Sequence, residues 1–145
     1  MRKYFVEKEF KHEGLKCVVI MTSNAHRCGY VGIPDTHSLY GKDYDEYEVD
    51  FDCHGGITYA GGGKQSEYPI KSDLWWFGFD CLHCDDSKDY ETAKRLFADD
   101  KEILKQLALC EQLDYQFQTY DGKSVRTLEY VTNECEKLAE QLTRF

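Results

Sequence analysis

The feature that most restricts the fold is a change of hydrophobic period near residue 87. Before it, apolar residues alternate or run together as in strands; after it, they recur three and four positions apart, as on one face of a helix. Tyr4, Val6 and Phe10 alternate with charges, residues 15–21 (LKCVVIM) are β-branched and apolar, and His12-Glu13-Gly14 between them signals a hairpin. Residues 74–81 (LWWFGFDC) are apolar almost throughout, as expected of a strand inside a sheet covered on both faces. Gly78 within that run permits close approach of another backbone or a ligand. Past the change, Tyr90, Ala93, Leu96 and Phe97, then Ile103, Leu104, Leu107 and Ala108, predict two helices broken at residues 98–100. Leu128, Val131, Cys135, Leu138 and Leu142 form the core-facing stripe of a last helix. Strands first and helices after predict an α+β fold, an antiparallel or mixed sheet from the N-terminal half packed against C-terminal helices. With no repeat or internal boundary, residues 1–145 read as one domain.

Between these segments the reading is coarser. Residues 22–48 read mostly as loop, with a short strand around Tyr30 to Ile33. Residues 47–54 (YEVDFDCH) read as an alternating strand, with Val49, Phe51 and Cys53 on one side and Glu48, Asp50, Asp52 and His54 on the other. A brief strand and a glycine-rich loop follow in residues 55–73, and residues 119–124 (TYDGKS) read as a turn. The loop YAGGGK does not meet the phosphate-binding pattern, because Gln65 follows Lys64 where Ser or Thr is required. Trp75 and Trp76 read as core rather than as a base-stacking platform.

The formal net charge is −9, which disfavours direct contact with nucleic acid and anionic lipid; it either serves solubility alone or attracts basic proteins, including their nucleic-acid channels. No apolar run approaches the roughly 20 residues that span a bilayer, and the first residues lack a signal-peptide core, so a cytoplasmic location is expected. Seven cysteines without an export signal imply reduced thiols rather than a disulfide framework. Cys17, Cys110 and Cys135 read as small buried hydrophobes, while Cys28, Cys53, Cys81 and Cys84 lie near His or Gly and stay open to other roles.

Two stretches carry the chemistry: FDCHGGITYA from Phe51 and WWFGFDCLHCDD from Trp75. Asp80 and His83 are three apart and share a face if the chain turns helically there. His54 ends its own predicted strand, and His37 comes from a glycine-bounded loop able to cover the same end of the sheet. His37, His54, Asp80 and His83 are therefore the predicted metal ligands, with zinc the ion that imidazoles and a carboxylate suit. Cys28 or Cys84 would add to such a site. Two other readings stand beside it: a buried polar network of His and Asp, and a metal-free catalytic pair.

The segments CGYVGIPDTHSLYGKDYDE, HGGITYAG, WWFGFDCLHCDD and RTLEYVTNECEKLAEQL resemble a group of small proteins of bacteriophages and related mobile elements, over roughly Arg27 to Leu142. The matching positions are Cys28, Gly29 and Tyr30; His37 and Gly41; His54, Gly55, Gly56 and Thr58; Gly78, Phe79, Asp80 and His83; and Asp86. The chain departs from the group at Ser38, where proline is usual, and at Cys84 and Asp85, where alanine and glycine are usual. The resemblance, with the acidity and the lack of a recognisable catalytic motif, implies a zinc-binding phage inhibitor of a host defence system. Such an anti-CRISPR-like protein would bind a basic CRISPR nuclease in the bacterial cytoplasm. The alternative is a small zinc-dependent hydrolase, with zinc on His37, His54 and His83 and Asp80 as fourth ligand, orienting group or base.

Overall fold

Strand period at the N-terminus translates directly into a hairpin of β1 (Tyr4–His12) and β2 (Leu15–Thr22), closed by a tight turn in which Glu13 and Gly14 both take positive φ. The computed structural model describes residues 3–43, 45, 50–83, 86–116 and 124–145. β3 (Arg27–Ile33) pairs with β2 and is longer than the strand expected around Tyr30. β4 (Tyr59–Gly62) and β5 (Trp75–Asp80) complete an antiparallel sheet of order β1-β2-β3-β5-β4. β5 lies between β3 and β4, the interior place its continuous apolar run predicts. A short parallel pair, β6 (Asp86–Ser87) with β7 (Ser124–Val125), stands apart from this sheet. The turn expected at 119–124 lies, but for Ser124, outside the described residues.

Helices α1 (Tyr90–Leu96) and α2 (Lys101–Gln116) are separated where the break was expected. Asp89 and Asp100 accept backbone N–H groups at the two helix starts. α3 (Leu128–Leu142), capped by Thr127, lays its apolar stripe on one face of the sheet. There Val131, Cys135, Leu138 and Leu142 pack with Cys17, Val19, Val31, Phe77 and Phe79. The opposite face holds Val18, Ile20, Cys28, Tyr30 and Trp76, covered by Tyr4, Tyr59, Tyr68, Ile70 and Leu74. The fold is thus α+β, with an antiparallel sheet against C-terminal helices.

Two expectations are corrected. Residues 50–54 run as a loop and not as a strand; residues 46–49 lie outside the described residues. Phe51 and Cys53 are nonetheless buried in the α3-side core. The reason is that Asp52 exchanges its backbone bonds with a side-chain amide: its N–H donates to Gln141 Oε1 at 2.7 Å and its C=O accepts from Gln141 Nε2 at 2.8 Å. A helix side chain supplies what a neighbouring strand would. Cys110, expected to be buried, is exposed, because α2 buries Ile103 and Leu107 but leaves Leu109, Cys110 and Leu113 facing outward.

Candidate metal centre

Alternation along β5 decides which side chains meet. Trp75, Phe77, Phe79 and Cys81 point to the α3 side, whereas Trp76 and Asp80 belong to the other face, where Asp80 is paired with Cys28 and Trp76 packs with Tyr30. Cys81 therefore arrives beneath α3, at the point where the 51–56 loop meets His83 and Asp86. Among the described residues, the ligand-type atoms of His54, Cys81 and Asp86 all lie within 4.8 Å of one another. This His-Cys-Asp group can hold a metal ion.

Asp86 is the hub. Its side chain is only 1% exposed, and Arg126 Nε donates to Oδ1 at 2.7 Å. Oδ2 accepts from His54 Nε2 at 2.9 Å, from the His83 backbone N–H at 3.0 Å and from His83 Nδ1 at 3.2 Å. Burial by itself would raise the carboxyl pKa; the bonds from Arg126, His54 and the His83 backbone overcome it and hold the pKa down at about 2. Because an ionised carboxylate only accepts, the neutral form of the His54 ring has its proton on Nε2, and in that form Tyr130 donates its hydroxyl to Nδ1 at 2.8 Å. The Arg126 guanidinium also lies over the Tyr130 ring, 4.8 Å from its centroid. Burial pushes the Cys81 thiol well above its ordinary pKa, the Asp86 charge adds to this, and the Arg126 guanidinium opposes it only in part.

Local backbone makes room for this arrangement. Gly55 has φ of +70°, and a Cβ there would stand 2.3 Å from Cε1 and Nε2 of His83. The glycine after His54 thus admits the His83 ring, whose centroid lies 5.2 Å from that of His54.

The four residues predicted as ligands are dispersed differently from the expectation. His54 and His83 do come together. Asp80 sits on the opposite face of the sheet; its Oδ1 is 3.9 Å from His83 Nε2, and its carboxylate accepts from Thr58 Oγ1 and the Leu82 N–H at 3.2 Å each. The helical turn assumed to align Asp80 with His83 does not form, since β5 runs as far as Asp80. His37 closes the far end of α3: its Nδ1 accepts from the Leu39 N–H at 3.0 Å, leaving Nε2–H to donate to the Leu142 carbonyl at 2.8 Å. Cys28 lies on the Asp80 side of the sheet, and Cys84 falls outside the described residues.

The residues not singled out as ligands, Cys81 and Asp86, had uneven signals. The odd-numbered apolar run Trp75, Phe77, Phe79, Cys81 marked the inward face of β5. Asp86, Arg126 and Tyr130 come together only through the β6–β7 pairing and the start of α3, which no periodicity announces. No helix among the described residues is long and apolar enough to cross a membrane. No family model matches the chain, nor does any curated protein or solved structure.

Proposed function

We propose that this protein is a metal-stabilised binding protein that acts by engaging a basic partner rather than by catalysis, with zinc as the ion. The observation that carries the reading is the convergence of one nitrogen, one sulfur and one oxygen donor, on His54, Cys81 and Asp86, within 4.8 Å of one another. Thiolate and imidazole together favour zinc over magnesium or calcium. A metal in place of the proton between His54 Nε2 and Asp86 Oδ2 needs those atoms about 3.3 Å apart, a few tenths of an ångström beyond their hydrogen-bond separation. Arg126 and Tyr130 hold the outer atoms of both ligands, the kind of support that fixes ligand orientation.

Burial supports a structural role over hydrolysis. Cys81 is 3% exposed and the His54 side chain 11%, leaving little access for a substrate. One ion would fasten His54 to Cys81 and Asp86, more than twenty-five positions further along the chain, so metal binding would contribute directly to folding. The partner class follows from the net charge of −9, which attracts basic protein surfaces. Together with the resemblance to phage proteins, this supports an inhibitor that competes for the basic channel of a host defence nuclease of the CRISPR type, acting in the bacterial cytoplasm.

Elemental analysis of protein purified without chelator tests the metal, with Cys81→Ser and His54→Ala beside the wild type. About one zinc per chain in the wild type, lost in both variants, is the expected result. A metal-free wild type overturns the zinc reading. Binding to a purified CRISPR nuclease should weaken steeply from low to high salt; absent or salt-indifferent binding overturns the partner reading.

A further inference from the structure

On the sheet face opposite α3, a cleft of about 300 Å³ opens where β3 begins and β5 ends. Its walls include Tyr30, Tyr59 and Tyr68, with Thr58, Asp80 and Leu82 at its polar end. The three rings pack edge to face, with centroids 5.5 Å apart for Tyr30 and Tyr59, 5.4 Å for Tyr30 and Tyr68 and 5.6 Å for Tyr59 and Tyr68. The hydroxyls of Tyr30 and Tyr68 are hydrogen-bonded to each other. The aromatic wall is therefore a rigid surface. Gly78 makes it possible, since a Cβ there would meet the Tyr30 ring at 2.4 Å.

Asp80 is held in place before any ligand arrives. Thr58 Oγ1 donates to its Oδ2 and the Leu82 N–H to its Oδ1, both at 3.2 Å, which leaves a second lone pair on each oxygen. The side chain is 35% exposed, and His83 Nε2 stands 3.9 Å from Oδ1, too far for a hydrogen bond and an ion pair only when that ring is protonated. Among the described residues, no lysine or arginine lines the cleft. A fixed carboxylate beside aromatic surface, with no lysine or arginine on it among the described lining residues, is the chemistry that receives a guanidinium: two parallel N–H donors for the carboxylate and a flat, weakly hydrated cation for the rings.

We propose that the Tyr30–Tyr59–Tyr68 cleft with Asp80 is the pocket that takes an arginine side chain of the basic partner. This rests on the basic-partner reading above and names the contact through which that partner is recognised. The exposed Leu82 side chain at the rim suits the methylene stem of such a residue.

The test is an amide chemical-shift titration of the full chain with the N-acetylated tripeptide amide glycyl-arginyl-glycine, beside its citrulline counterpart, which keeps the shape and loses the charge. Saturable shifts at Thr58, Tyr59, Asp80 and Leu82 are expected with the arginine peptide, and at least tenfold weaker binding with citrulline. Asp80→Asn, which retains an acceptor for the Leu82 N–H, should cost at least tenfold with little change in melting temperature. Tyr59→Leu, which removes a wall and leaves the carboxylate, should also weaken binding. No saturable shift, equal affinity for the two peptides, or unchanged affinity in Asp80→Asn overturns the proposal. If the peptide fails while the intact protein still binds a basic nuclease, the pocket is wrong and the partner class stands.

Discussion

Gly55 shows how far a single residue can govern the centre it borders. Its φ of +70° is a conformation that L side chains rarely adopt, and the His83 ring occupies the space a Cβ would need. Gly55→Ala therefore meets two penalties at once, backbone strain and a clash with a ring that bonds Asp86. The expected loss is about 1–3 kcal/mol by urea denaturation, with a shift of the His83 ring resonances. A variant with wild-type stability and unmoved His83 resonances would show that the turn does not position the ring. The contrast with Asp80 is instructive at this scale. Asp80 and His83 were legible as a pair by spacing, but one residue of alternation puts Asp80 and Cys81 on opposite faces of the sheet. Cys81 thereby gained the place beside His54 that spacing had assigned to Asp80.

Between elements, a pH-dependent tie joins the edge strand to the last helix. His12 on β1 meets two carboxylates one turn apart on α3, Glu140 at 2.6 Å from Nε2 and Glu136 at 3.2 Å from Nδ1. The bond to Glu140 raises the His12 pKa above its ordinary value near 6.5; slight desolvation opposes it, and the charges of Glu136 and Glu140 add to it. A raised pKa in the folded state means that protonated His12 favours folding. Its contribution is complete below the unfolded value and disappears as pH rises through the higher folded value. The stability difference between wild type and His12→Gln should accordingly be largest near pH 6 and shrink above it. Urea midpoints across a pH series check this, alongside a ring titration of His12. A difference that grew with pH would contradict the assignment. The stripe on α3 was readable because helix period and burial coincide there. The loop at 50–54 was not, since alternation of burial without a strand partner looks the same in sequence as a strand.

For the whole molecule, the centre joins the 51–56 loop, the end of β5 and the start of β6, beside the first turn of α3. An ion there would raise global stability by mass action: at a hundredfold excess over its dissociation constant the gain is about 2.7 kcal/mol. For a chain of this size that is a rise of roughly 8 °C in melting temperature. Differential scanning of chelated and zinc-supplemented protein should show this difference, and Cys81→Ser should not respond to zinc. Identical melts for chelated and supplemented wild type would leave the Asp86 network standing without a metal. That network is complete in itself, since Asp86 already accepts from Arg126, His54 and His83.

The sequence by itself determined the layers. The change from strand period to helix period, the interior character of residues 74–81 and the stripe on the last helix are local patterns, and each maps onto β5, α1, α2 or α3. It also marked both chemical stretches, because His, Cys and Asp after apolar runs are visible without any fold. Only the tertiary structure decided which of those residues share a site. Asp86 meets Arg126 across 40 positions of chain, His54 meets Tyr130 across 76, and His37 is claimed by the end of α3. Such pairings depend on strand register and loop closure, and no short-range period encodes them.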